Sequence, residues 1–101
     1  MTSPLSINCS RQDSCVKYAI SGRIDTVTAP QFAANIHVED ASELIIDLKE
    51  VDYVSSAGLR VFLQTQTAIN KAGGTMRIVN CRSHIKKLFE TVGFTTIMEI
   101  G

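Results

Sequence analysis

One short run constrains this chain most: Leu44-Ile45-Ile46-Asp47-Leu48, four aliphatic residues in five. Apolar residues at consecutive positions point to both sides of an extended segment. Such a run predicts a central strand covered on both faces, as in layered α/β proteins. Asp47 is read as a hydrogen-bonding residue near the strand's end. The flanking sequence supplies elements that could do the covering. Upstream, Leu5, Ile7 and Cys9 alternate with polar neighbours, and so do Val16, Tyr18 and Ile20. Two half-buried strands are expected there, joined through the polar cluster 10–14 as a hairpin with a loose loop, with Gly22 ending the second.

Thr28 and Pro30 then open a short helix, a capping hydroxyl followed by a residue that has no N–H to waste in a first turn. Phe32, Ala33 and Ile36 fall on one face. Downstream of the central run, Leu59, Phe62, Leu63 and Ile69 share a helical face, and Gly73-Gly74 stop that helix. Residues 76–80 form another short strand. Ile85, Leu88, Phe89 and Val92 follow the i, i+3, i+4, i+7 spacing of an amphipathic helix ended by Gly93, and residues 95–100 read as a weak last strand. The order ββαβαβαβ predicts an α/β fold: a mixed, mostly parallel sheet of about five strands, begun by an antiparallel hairpin, with helices packed against it.

Composition narrows the function. With 101 residues the chain is expected to be a single domain over 1–101, and 45% hydrophobic residues are enough for a core. Ten basic residues balance ten acidic ones, which argues against a nucleic-acid binder. No apolar run approaches a membrane span, and residues 1–10 lack the pattern of a signal peptide. Cys9, Cys15 and Cys81 are odd in number and without CxxC spacing. They read as reduced thiols, although a Cys9–Cys15 bridge is geometrically conceivable. His37 and His84 lack metal-ligand spacing. Lys71 to Thr75 holds phosphate-loop letters in the wrong order, and no Gly-x-Ser-x-Gly elbow surrounds Ser56. No cofactor is called for.

The chemistry concentrates in Val54-Ser55-Ser56-Ala57-Gly58-Leu59, where two hydroxyls sit at a loop-to-helix junction. A helix start offers free N–H groups and the positive end of the dipole, so a phosphate on serine could be received by the N–H groups of Ala57, Gly58 and Leu59. Taken alone, Ser-Ser before a helix is far more often a cap than a modification site. Asp25, likewise, reads by itself as a turn cap.

The stretch from Leu44 to Leu63 resembles the signature of the STAS-domain anti-sigma factor antagonists: a hydrophobic strand ending in Asp-Leu, a loop, then a phosphorylatable serine, a small residue and Gly-Leu. Ser21-Gly-Arg-Ile-Asp25 with Thr28-Ala-Pro30, and 76–80 with 85–94, resemble the family's flanking segments. The resemblance implies a bacterial, cytoplasmic, non-enzymatic regulator. Ser56 matches the phosphoacceptor, Gly58 and Leu59 the residues after it, and Asp25 the acidic residue near it. Ser55 departs from the pattern, since many members carry Asp there, and it stays a second candidate acceptor. The implied partners are an anti-sigma factor that is an ATP-dependent serine kinase and a PP2C-type serine phosphatase. The implied interface is Asp25, Ser55, Ser56, Ala57, Gly58, Leu59 and Arg60. The chain alone is expected to be a monomer. Two alternatives stand beside this reading: a STAS subunit of a sensory complex or membrane lipid transporter without a phospho-switch, and a small serine hydrolase using Ser56.

Overall fold

The computed structural model describes residues 5–38 and 41–101. Residues 1–4, which open the stretch read as lacking an export signal, lie outside the described residues. Five strands form one sheet in the order β1-β2-β3-β4-β5. They are β1 (Leu5–Gln12), β2 (Cys15–Ile24), β3 (Glu43–Val54), β4 (Thr75–Val79) and β5 (Glu99–Ile100). β1 runs antiparallel to β2, and every later pairing is parallel. The helices α1 (Ala29–Asn35), α2 (Ser56–Lys71) and α3 (Ser83–Thr91) occupy the crossovers. The expected α/β order is therefore found.

The hairpin is tighter than expected. β1 continues through Ser10-Arg11-Gln12 and pairs Gln12 with Cys15, leaving only Asp13-Ser14 as the turn. Asp13 accepts the left-handed backbone such a turn requires, at φ 56°. The register also removes the conceivable disulfide. Cys9 lies opposite Tyr18 and Cys15 opposite Gln12, so the thiols project from opposite faces, and all three cysteines are free.

The helices all pack on one face of the sheet, which corrects the two-sided covering read from the central run. Leu44, Ile46 and Leu48 are fully buried beneath them, together with Val16, Tyr18, Ile20, Met76 and Ile78. Phe32 of α1, Phe62 of α2 and Phe89 of α3 meet in a row. Ring centroids are 5.0 Å apart for the first pair and 5.3 Å, edge to face, for the second. Phe94 continues the row at 6.0 Å. The opposite face is polar. Lys17 reaches Asp47 at 3.6 Å and Arg77 reaches Glu43 at 3.4 Å. Ile45 is only half-buried there, between Lys17 and Arg77 in the register, whose aliphatic stems can shield it. Asp47 accepts a hydrogen bond from the Lys49 N–H at 2.9 Å, as a strand residue and not as the strand's end.

Two helix faces are rotated from expectation. The buried stripe of α2 is Gly58, Val61, Phe62, Thr65, Gln66 and Ile69, and Leu63 is 40% exposed. Thr65 can face the core because its hydroxyl donates to the Val61 carbonyl at 2.7 Å, and the Gln66 amide donates to Asn70 at 2.9 Å. In α3 only Ile85 and Phe89 are buried, and Val92 is 44% exposed just before the left-handed Gly93. The expected last strand shrinks to β5, because residues 94–96 form a turn of 3₁₀ helix.

β3 outruns its neighbour. Only Glu43–Asp47 pair with β4, whereas pairing with β2 continues to Val54. Along this extension β3 twice spends one residue more than β2, opposite Ala19–Ser21 and Gly22–Arg23. β2 therefore ends at Ile24, not at Gly22, which instead sits at the second irregularity with φ 119°. The side of β3 that β4 leaves open is met by α3. The Arg82 side chain donates to the Lys49 carbonyl at 3.0 Å. His84, protonated at Nε2, donates to the Asp52 carbonyl at 2.7 Å.

Candidate functional site

The paired ends of β2 and β3 deliver two turns to one place. Ile24 and Val54 are partners in register, and the Ser55 N–H donates to the Ile24 carbonyl at 2.7 Å. The turn after Ile24 and the start of α2 are thereby held side by side.

In the first turn, Asp25 is engaged by its own backbone. Its Oδ1 accepts from the Val27 and Thr28 N–H groups, both at 3.0 Å. Those bonds, the Thr28 bond foremost, hold its carboxyl below the ordinary carboxylate range. Thr28 does not cap α1 as expected. Its buried hydroxyl accepts from the Asp25 N–H at 2.8 Å and donates to the Arg23 carbonyl at 2.7 Å, closing the turn from beneath. Asp25 makes no hydrogen bond to either serine.

In the second turn the two serines divide. Ser55 is the N-cap of α2. Its backbone is extended, and its hydroxyl accepts from the Gly58 N–H at 3.2 Å. Ser56, the first helical residue, is exposed, and among the described residues none bonds its hydroxyl. The expected phosphate cradle is smaller than three N–H groups. Gly58 donates to the Ser55 hydroxyl and Leu59 to the Ser55 carbonyl at 2.9 Å, leaving those of Ser56 and Ala57 at the tip. The first turn carries no acidic residue, so α2 itself supplies no charge against the positive end of its dipole.

Of the remaining expected site residues, Ala57 and Leu59 are half-buried and Arg60 is exposed. Gly58 is buried, so its place is in packing. A Cβ added there would lie 2.6 Å from Ile24 Cγ2, 3.0 Å from Val54 Cγ1 and 3.2 Å from the Ile24 carbonyl. Gly58→Ala is expected to destabilise the protein by about 1–3 kcal/mol, since overpacking outweighs a helix-propensity gain of at most about 1 kcal/mol. Urea unfolding checks this; unchanged or increased stability would mean that Ile24 gives way freely.

Sequence reasoning did not bring Arg23 and Tyr53 to this site. They become register partners only through the second irregularity in β3, and the Arg23 guanidinium carbon stands 4.4 Å from the Tyr53 ring centroid. Neither histidine serves Ser56 as a base by any hydrogen bond. His84 is held by the Asp52 carbonyl.

Residues 6–101 match the family model described as STAS domain. The chain is 29% identical over 99 residues to the anti-sigma-B factor antagonist of Bacillus subtilis, covering 96% of this chain and 91% of that protein. Among solved structures, an anti-sigma factor antagonist from Mycobacterium paratuberculosis superposes with a TM-score of 0.83 at 23% identity, covering 99% of this chain and 89% of that one. The Bacillus cell fate determinant SpoIIAA, solved in its phosphorylated form, superposes with a TM-score of 0.73 at 14% identity, over 95% of this chain and 91% of that one.

Proposed function

This chain belongs to the STAS domain family, and from that premise we propose that it is an anti-sigma factor antagonist switched by phosphorylation of Ser56. The observation that carries the reading is the division of labour between the serines. Ser55 is engaged in the helix start, and the Ser56 hydroxyl stands exposed beside it with no bond among the described residues. The likeness to the anti-sigma-B factor antagonist of Bacillus subtilis supports the partner class.

The unphosphorylated protein binds an anti-sigma factor that is also a serine kinase, and a sigma factor is released. The kinase transfers the γ-phosphoryl group of ATP to the Ser56 oxygen. The hydroxyl proton is lost and ADP leaves. The new group carries about −1.5 to −2 charges. Its place at a helix N-terminus favours the charge, so the fold survives. Within a desolvated interface an unpaired dianion is costly, so the complex separates. A PP2C-type phosphatase returns the serine by hydrolysis. Ser56 acts here as an acceptor of the phosphoryl group and as a contact for the partner.

The test is incubation with ATP and the purified anti-sigma factor kinase, followed by peptide mass spectrometry. One phosphate, mapped to Ser56 and not Ser55, is the expected result. A phosphate elsewhere, or none from a kinase active on another substrate, would overturn the switch.

A further inference from the structure

The β2–β3 end that holds Ser55 carries a second feature, and nothing in the phospho-switch uses it. Where β3 takes its extra residue opposite Gly22, Arg23 and Tyr53 come into register, and the guanidinium lies over the ring at 4.4 Å. Irregularities of this kind bend a strand and re-aim its side chains. Tyr53 is 40% exposed, so a face of the pair meets solvent. A guanidinium over an aromatic face is held in place while its N–H groups remain at the edge. Among the described residues Arg23 makes no side-chain hydrogen bond and no ion pair within 4 Å, and its charge is one of the smaller influences that hold the nearby Asp25 carboxyl low. One turn away Val27 is 77% exposed, the most exposed large apolar side chain described, yet its backbone is fixed by the bond to Asp25. A preorganised cation with donors left for a partner, four residues along the chain from an apolar knob on a rigid turn, has the ingredients of a protein-binding hot spot.

We propose that Arg23, positioned by Tyr53, is a second anchor of the antagonist surface, receiving a carboxylate of the anti-sigma factor while Val27 packs against apolar surface beside that carboxylate. This rests on the reading of the chain as an antagonist and adds where the partner's acidic group docks. The chemistry follows from the pair. The free donors of Arg23 match the two oxygens of a carboxylate in a fork geometry that an ammonium cannot reproduce. The β2–β3 end that presents the pair also holds Ser55 through the Ile24 carbonyl, so both anchors sit on one rigid support.

The test is titration calorimetry of the unphosphorylated protein with the purified anti-sigma factor kinase that modifies Ser56. Arg23→Ala is expected to weaken binding roughly tenfold or more, and Arg23→Lys to restore only part of it. Tyr53→Ala should weaken binding as well, and Tyr53→Phe, which keeps the ring, should bind as the parent does. Lys71→Ala, about 22 Å along α2 from Ser56, controls for gross charge. Arg23→Lys keeps the aliphatic stem, so it holds the test if the alanine variant unfolds. Parent binding intact with Arg23 variants within about twofold would overturn this anchor and leave the antagonist reading standing. No binding and no phosphorylation of the parent would overturn both.

Discussion

Truncating Phe62 to alanine is expected to cost about 3–5 kcal/mol of folding stability, the range for removing a buried aromatic ring. The ring is fully buried and touches Phe32 on one side and Phe89 on the other. It is the one side chain in the aromatic row that joins all three helices. Its loss leaves a cavity and removes two aromatic contacts worth about 0.5–1.5 kcal/mol each. Domains of this size hold only about 5–15 kcal/mol in total, so the variant should sit near the edge of folding. Urea denaturation followed by circular dichroism gives the number. A loss below about 1 kcal/mol would mean that the sheet, and not the helix layer, carries the core.

The other large effect is on binding. Protein phosphorylated at Ser56 is expected to bind the anti-sigma factor more than roughly 100-fold more weakly than the unmodified form, equivalent to about 3 kcal/mol of differential affinity. Ser56→Ala should bind well and be indifferent to ATP, while Ser56→Asp, with one charge, should fall between. The thermal midpoint should stay level or rise slightly on phosphorylation, because the added charge meets the positive end of α2, whose first turn holds no acidic residue. Equal affinity for the parent, the phosphorylated form and both variants would remove Ser56 from the interface.

The element order was legible because most strands and helices keep a clean period. Val16, Tyr18 and Ile20 alternate and are all buried, and Ile85 and Phe89 stand four apart. Reading failed where a local irregularity broke the period. Val51 and Val54 are three apart, a spacing that breaks the alternation of a strand. They face the core because β3 holds extra residues against β2. The same irregularity hid the Arg23–Tyr53 pair. The run 44–48 looked buried on both faces since hydropathy alone does not show that Lys17 and Arg77 flank Ile45. Leu63 looked like core because Thr65 and Gln66 looked polar, and their bonds within the helix are invisible in composition. At the site, Ser-Ser and Gly58 marked the helix start correctly, but sequence alone left the cap unassigned. The hydrogen bond from Gly58 to Ser55 assigns it.

The Arg82 and His84 bonds to β3 have a consequence for how the protein behaves in company. A strand that outruns its neighbour leaves a bare ladder edge, and bare edges invite foreign strands and polymer growth. Here two backbone acceptors on that edge, the carbonyls of Lys49 and Asp52, are already taken by the side chains of Arg82, just ahead of α3, and of His84 within it. An incoming strand would first have to displace them. Visitors to this end of the molecule are thereby turned from the edge toward the tip, where recognition works by side-chain chemistry, and crowded copies are discouraged from zipping into fibres along it.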